Sequence, residues 1–317
     1  MDRRKQDNPT VSVIIPAYNA AAFIAQTIES VLAQTYKNIE VIAVDDGSTD
    51  NTRQVTAQYK SVRYIYKKNG GPASARNTGI ETSKGDYLAF LDADDIWERE
   101  KISRQIDCFK NNPALGLVYT AVNVIDEQGN FVRPKFSGNL SGRAFNGLFR
   151  KNHLTASAVM IKKSCLVDAG KFDEDLEIIS VEDYDLWLRV TALYEIACVN
   201  EPLTKYRLLD NSVSKNIARS YLGELKVIKK NFAMFQDSYP EIKPTMNKRL
   251  GHLFFEFGYD YFYSNNVADA RIRLWQSIQH DPLGIQAWKY WGLSWLGAGT
   301  VKKLKDVKRG LRGEGIL

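Results

Sequence analysis

Apolar positions in the first ninety residues follow two alternating rhythms. Val11–Ile15, Ile39–Val44 and Tyr87–Leu91 are short apolar runs, and Val62–Tyr66 alternates apolar with polar. Runs of this length, bounded by turn residues, read as strands. Between them Phe23, Ile24, Ile28, Val31 and Leu32 fall at helical spacing, and Ala73–Ile80 reads as the start of a helix. Strand and helix in alternation predict an α/β domain with a mostly parallel sheet covered on both faces. Such sheets take ligands at the carboxyl ends of their strands. Polar clusters stand at those ends: Ala17-Tyr18-Asn19, Asp45-Asp46-Gly47-Ser48 and Asp92-Ala93-Asp94-Asp95.

Residues 114–210 are less regular. Leu117–Ile125 is strand-like, Gln128-Gly129-Asn130 is a turn signal, and Glu182–Val190 has a helical pattern. Near 215 the texture changes to long helical patterns with few turns, which predicts two domains, 1–214 and 215–317. Phe254, Phe257, Gly258, Tyr261, Ala270, Leu274, Ser277 and Pro282 match tetratricopeptide spacing. Trp288, Trp291, Gly292 and Trp295 repeat its first half before the pattern fails. A repeat-like stretch over 251–296 follows, with Trp288, Trp291 and Trp295 expected as packing residues, the competing reading being an interfacial contact with anionic lipid beside the basic tail.

Composition narrows the class. The 317 residues are 44% apolar and 25% charged, an ordinary globular balance that excludes a wholly disordered or fibrous chain. Three dispersed cysteines argue against a disulfide framework and for a reducing, cytoplasmic compartment. The first residues are too polar for a signal peptide, and no apolar run has the length of a membrane span. The net charge of +6 is uneven: residues 215–317 hold 17 basic and 9 acidic residues, while 1–214 hold 26 and 28. Within 302–312 six basic residues face only Asp306, so this tail is expected to make a peripheral contact with anionic lipid at the cytoplasmic face of a membrane.

Three carboxylates in four residues, Asp92, Asp94 and Asp95, repel one another after an apolar strand. That cost is accepted for a divalent cation such as Mg²⁺ or Mn²⁺, which would in turn hold a diphosphate. The competing reading is an acidic turn capping a helix that starts near Trp97. Asp45-Asp46 could accept a base N–H or ribose hydroxyls, or merely form a turn. Gly70-Gly71-Pro72 could cradle phosphate at a helix start, or be a flexible turn, with Arg76 one turn further on. Glu182 and Asp183 open a helix, where acids are also favoured by the macrodipole.

Taken in order, VSVIIPAYN, DDGSTD, GGPASARNTGI, GDYLAFLDADD, GKFDEDL and VEDYDLWLRV resemble the family 2 glycosyltransferases over roughly residues 10–214. The resemblance implies the GT-A nucleotide-sugar fold, with a mixed, mostly parallel central sheet, carrying here a C-terminal helical extension. It implies an inverting hexosyltransferase-type enzyme using a divalent metal, Mn²⁺ or Mg²⁺, and a nucleoside-diphosphate sugar, UDP favoured. The acceptor would be a glycan or a lipid-linked glycan in polysaccharide or glycoconjugate synthesis. By position, Ala17 and Tyr18 would flank the base, Asp46 would meet its imide edge with Asp45 nearby, and Arg76 would lie near the nucleotide. Asp92 and Asp94 correspond to the D-x-D motif, with Asp94 the direct metal ligand. Asp183 corresponds to the general base and Glu182 to its neighbour.

One departure stands out. Many members carry Tyr-Arg-x-His after the base, whereas this chain has Tyr206-Arg207-Leu208-Leu209, so Leu209 replaces the imidazole. Arg207 or Lys215 is then expected to neutralise the diphosphate. A dehalogenase-type phosphatase would also use D-x-D, but after its first strand rather than about its fourth. A non-catalytic scaffold or carbohydrate-binding protein on a transferase fold is the alternative from another class. Only the basic tail argues for nucleic acid, and no nucleic-acid partner is expected.

Overall fold

The computed structural model describes residues 8–135, 138–209 and 216–296. The chain divides into two compact units, Met1–Val213 and Ser214–Leu317. In the first, the elements run β1 (Val11–Ala17), α1 (Ile24–Leu32), β2 (Ile39–Asp45), α2 (Thr52–Thr56), β3 (Val62–Tyr66), α3 (Pro72–Thr82), β4 (Tyr87–Phe90), β5 (Ile96–Trp97), α4 (Lys101–Asn111), β6 (Leu115–Ile125), β7 (Phe131–Lys135), α5 (Phe145–Arg150), β8 (Val159–Lys162), α6 (Cys165–Ala169), α7 (Glu182–Leu193) and β9 (Glu195–Arg207). The strands form one mixed sheet in the order β3-β2-β1-β4-β8-β6-β9-β5, with β7 paired to β6. Strands β1 to β4 are mutually parallel. β8 runs antiparallel to both β4 and β6.

The parallel half builds the ligand edge. β1 and β2 pair in register from Val11↔Ile39 to Ala17↔Asp45, so the chain after each strand emerges at the same edge. β1 continues through Pro16, where the sequence pattern had predicted its end. The carbonyl of Ile14 accepts from Leu91 on the β4 side. By the period of two, Pro16 points the same way, beyond the last β1–β4 pair at Ile14↔Phe90, where no amide hydrogen is needed. Ile24, Ile28 and Val31 of α1 are buried at i, i+4 and i+7; each such side chain contributes about 1.5–3 kcal/mol. α3 lies so close on β1 that a Cβ at Gly79 would sit 2.5 Å from Ile14 Cγ2. The helix expected near Trp97 starts only at Lys101, because Ile96 and Trp97 pair with Lys205 and Thr204 of β9.

The second unit comprises α8 (Ile217–Phe235), α9 (Met246–Tyr263), α10 (Val267–His280) and α11 (Ile285–Ser294). Gly258 faces Ala270 and Leu274, and Gly251 faces Ser277 and Asp281. The rising and falling numbers make α9 and α10 antiparallel, and the small residues let their backbones approach. Phe257, Ala270, Leu274 and Ser277 are buried. Trp288 and Trp295, expected as packing residues, are exposed instead. The basic tail 302–312 and Lys215 lie outside the described residues. Among the described residues no helix is long and apolar enough to cross a membrane.

Candidate active site

At the β1–β2 edge the backbone is closed by side chains. Asn19 adopts a left-handed φ of 49°. Its amide N–H donates to Ser48 Oγ at 2.9 Å, and its Oδ1 accepts from Thr49 N at 2.8 Å. Tyr18 stands exposed beside buried Ala17. Asp45, the last residue of β2, and Asp46, which follows it, are both buried and both occupied. Asp45 accepts from Ser48 N at 2.7 Å and from the Tyr64 hydroxyl at 2.6 Å. Asp46 accepts from Lys67 Nζ at 2.7 Å, Gly70 N at 3.0 Å and Gly71 N at 2.7 Å. Gly71, at φ 88°, makes that turn possible. The Gly70-Gly71 amides, considered from sequence as a phosphate cradle, thus hold a carboxylate of the chain itself.

Arg76 joins two acidic motifs. It is buried one turn into α3. Nη2 donates to Asp92 Oδ1 at 2.7 Å and Nη1 to Glu182 Oε1 at 2.5 Å. Its guanidinium lies 5.4 Å from the Phe172 ring centroid. Phe172 packs edge-on against Phe90 and Trp187. Burial works against the guanidinium's charge, but Asp92, Glu182 and Asp183 outweigh it and hold the proton firmly. The neighbouring Asn77 is a staple, bonding both the N–H and the carbonyl of Phe172. The sequence motifs around 76 and 172 therefore meet as one support.

The D-x-D segment separates into different roles. The Asp92 amide donates to Ser157 Oγ at 3.1 Å. Burial first, then Asp92, pushes the Asp94 carboxyl up to about 6. Among the described residues Asp94 accepts no hydrogen bond from another residue's side chain. Asp95 is fully buried and accepts from Arg207 N at 2.9 Å. Arg207 spends its guanidinium on the carbonyls of Asp94, Asp126 and Glu127 and on Gln26 Oε1. It therefore braces the loop rather than awaiting a diphosphate, which corrects the expectation for it.

α7 delivers Glu182 and Asp183. Ser180, just before it, sits at φ 83°, a backbone conformation that costs a serine about 1–3 kcal/mol and that clusters at functional sites. Glu182 is buried, with Oε2 lacking a partner. Burial first, then Glu182, pushes the Asp183 carboxyl up to about 7, against the pull of Arg76. Asp185, by contrast, is locked to Arg189 at 2.8 Å. Sequence reading passed over Lys135. Its ammonium lies 4.4 Å from the Tyr206 ring centroid. Burial lowers its pKa while Asp95, Asp183 and Asp92 raise it, so its charge bears on the same carboxylates. A lone lysine in an irregular hairpin carries no motif that could have marked it.

A resident cation fits this site only in one form. Among the described residues no three His, Cys, Asp or Glu side chains come together as a ready cage. Asp92 and Asp94 offer two carboxylates, one already shared with Arg76. Magnesium-like ions are often bound by one or two carboxylates, with the rest of the shell from phosphate oxygens and water. The under-compensated charge of Asp94 suits such an ion.

Known proteins share this chain's sequence pattern and fold. The family model "Glycosyl transferase family 2" matches residues 12–170. An uncharacterized glycosyltransferase of Rickettsia felis is 37% identical over 201 residues, 62% of this chain and 33% of that protein. The chain spans about a third of the length of the first such relatives. The Escherichia coli UDP-Glc:alpha-D-GlcNAc-diphosphoundecaprenol beta-1,3-glucosyltransferase WfaP is 34% identical over 224 residues, 69% of this chain and 85% of that protein. In fold, the chain resembles S. aureus TarS 1-349, solved with UDP-GlcNAc, at a TM-score of 0.60 and 16% identity, over 86% of this chain and 89% of that one. With the mixed sheet, the ordered motifs and the family match in agreement, the chain belongs to glycosyltransferase family 2 and has the GT-A fold.

Proposed function

We propose that the chain transfers a hexose from a nucleoside-diphosphate sugar to an acceptor hydroxyl with inversion at the anomeric carbon. The observation that carries this reading is Arg76, which ties Asp92 to Glu182 and so makes one site of the donor-side and base-side acids. The acceptor oxygen attacks the anomeric carbon as the bond from that carbon to the diphosphate oxygen breaks. Attack opposite the leaving group inverts the centre, and the acceptor's proton passes to Asp183. A carboxyl near pH 7 is matched to that task, because a base works best when its pKa lies near the working pH. Glu182 holds Arg76 and raises Asp183 by its charge. Tyr18 and Ala17 flank the base, and Asp46 meets its imide edge with the acceptor capacity its present donors leave. Asp92 and Asp94 would hold Mn²⁺ or Mg²⁺, which supplies charge neutralisation to the diphosphate when bound. Lys135, whose charge the carboxylates of Asp95, Asp183 and Asp92 favour against its burial, adds a cation to the acidic site in place of the missing imidazole.

UDP is the favoured carrier, since the TarS structure holds UDP-GlcNAc and the E. coli relative is named for UDP-Glc. A lipid-linked glycan acceptor, in polysaccharide or glycoconjugate synthesis at the cytoplasmic face of a membrane, follows from the diphosphoundecaprenol in that relative's name. Incubation with UDP-, GDP- and dTDP-sugars, with Mn²⁺, Mg²⁺ or chelator, tests the reading. Release of nucleoside diphosphate from one sugar class, dependent on metal and lost in Asp183→Asn, is expected. No turnover with any donor and a lipid-linked acceptor pool would overturn it.

A further inference from the structure

The helical unit carries an apolar surface that the transferase chemistry does not use. Leu283 and Ile285, at the turn between α10 and α11, are 89% and 79% exposed, and Trp295 is 62% exposed. Trp275 and Trp288 are also turned outward. The rings are continuous: Trp275 lies 6.1 Å from Trp288 and 5.6 Å from Trp291, and Trp291 lies 6.0 Å from Trp295. Scattered exposed apolar residues are ordinary, but a joined patch of this kind marks a partner.

We propose that this face of α10 and α11 is a lipid-contact surface that seats the helical unit in the headgroup layer of an anionic membrane. Three features select lipid over other occupants. Leucine and isoleucine at the most exposed points have no use against a polyhydroxylated sugar ring, whereas acyl chains accept them. Tryptophan, with an apolar body and one N–H, prefers the boundary between hydrocarbon and water. The charge is complementary: Arg271 stacks on Trp295 at 4.2 Å, and Lys289 is the sole charge between 283 and 301. The sequence that follows places Lys302, Lys303, Lys305, Lys308, Arg309 and Arg312 within eleven positions. Ten residues of α11 are too few to span a bilayer, so the contact lies in the interface. The inference deepens the proposed lipid-linked acceptor and rests on it only for its purpose. Vesicle binding needs neither donor nor acceptor, so either reading can fail alone.

Fluorescence makes the test local. Four of the six tryptophans lie in the patch, while Trp97 and Trp187 are buried in the core of the first unit. The full chain is titrated with phosphatidylglycerol vesicles carrying brominated acyl chains, and with phosphatidylcholine vesicles brominated alike. Quenching and a blue shift with phosphatidylglycerol, weaker with phosphatidylcholine, are expected. The exposed pair Leu283→Ser/Ile285→Ser, folded by circular dichroism, should lower partitioning about tenfold or more. Unquenched emission, or equal partitioning of the double variant, overturns the proposal. So does emission already blue and shielded from acrylamide without vesicles. In that case light scattering assigns the cover to a second copy, if dimeric, or to the chain's own residues, if monomeric.

Discussion

Two acidic edges of the first unit invite comparison. At the end of β2, Asp45 and Asp46 are both buried, yet five donors from Ser48, Tyr64, Lys67, Gly70 and Gly71 meet their oxygens. Across the sheet, among the described residues, Asp94 accepts from no other residue's side chain and Asp183 accepts from one backbone amide, Tyr184 N at 2.7 Å, and their carboxyls are pushed up to about 6 and about 7. Adjacent acids in sequence thus serve two ends. Where the fold supplies donors, the carboxylate organises backbone. Where it supplies one or none, the site keeps charge available for a proton or a cation.

The largest effect should come from the sparsely bonded side. Asp183→Asn removes a base that acts on the acceptor, so turnover should fall about 10²–10⁴-fold while nucleotide affinity stays unchanged. Steady-state rates and calorimetry on the same preparation check both halves. In the unmodified chain kcat should rise with pH through about 7, as Asp183 loses its proton. Near-normal turnover in the variant would reduce Asp183 to a helix-terminal acid.

Next in size is Asp94→Ala. Calorimetry of UDP with and without Mn²⁺ should show the metal-dependent gain in affinity disappear, a loss of about tenfold or more, or 1.4 kcal/mol. Asp46→Asn addresses the satisfied side. It weakens charge-assisted bonds to Lys67, Gly70 and Gly71 and should cost about 1–3 kcal/mol of stability. A lower melting temperature is expected here, and none for Asp94→Ala. If both variants destabilise alike, the contrast between the edges is wrong.

How legible was this in sequence? The parallel strands and α3 were, because local apolar runs and one glycine-rich turn dictate them. Trp97 was not, since its strand exists only through pairing with Thr204, far along the chain. The acids were found by type, but not sorted by role. Arg76 and Glu182 are 106 residues apart, and only the fold makes them a pair. Arg207 was misjudged because a free-looking arginine gives no hint that carbonyls of two loops will consume it. Trp288 and Trp295 fit a packing pattern, but spacing alone does not fix which side of α11 finds a partner.

The smallest expected effect uses stability rather than activity. An ordinary aspartate titrates at 3.8, and Asp183 in the folded chain near 7. A carboxyl whose pKa rises on folding favours the fold in its neutral form. Its contribution is complete below the unfolded value and is lost as pH climbs through about 7. The charged form is the one catalysis needs, so the site holds it at the fold's expense. Asp183→Asn cannot ionise and escapes this loss. Its melting temperature should match the parent's near pH 4 and exceed it above pH 7, by about 2–4 °C for each kcal/mol recovered. Asp94 titrates in the same direction near 6 and remains in the variant, so both proteins should still weaken with rising pH, the parent more steeply. Melting curves across that window decide it. A difference that stays flat with pH would mean that Asp183 is satisfied like Asp46, and the comparison between the two edges would fail at its most informative residue.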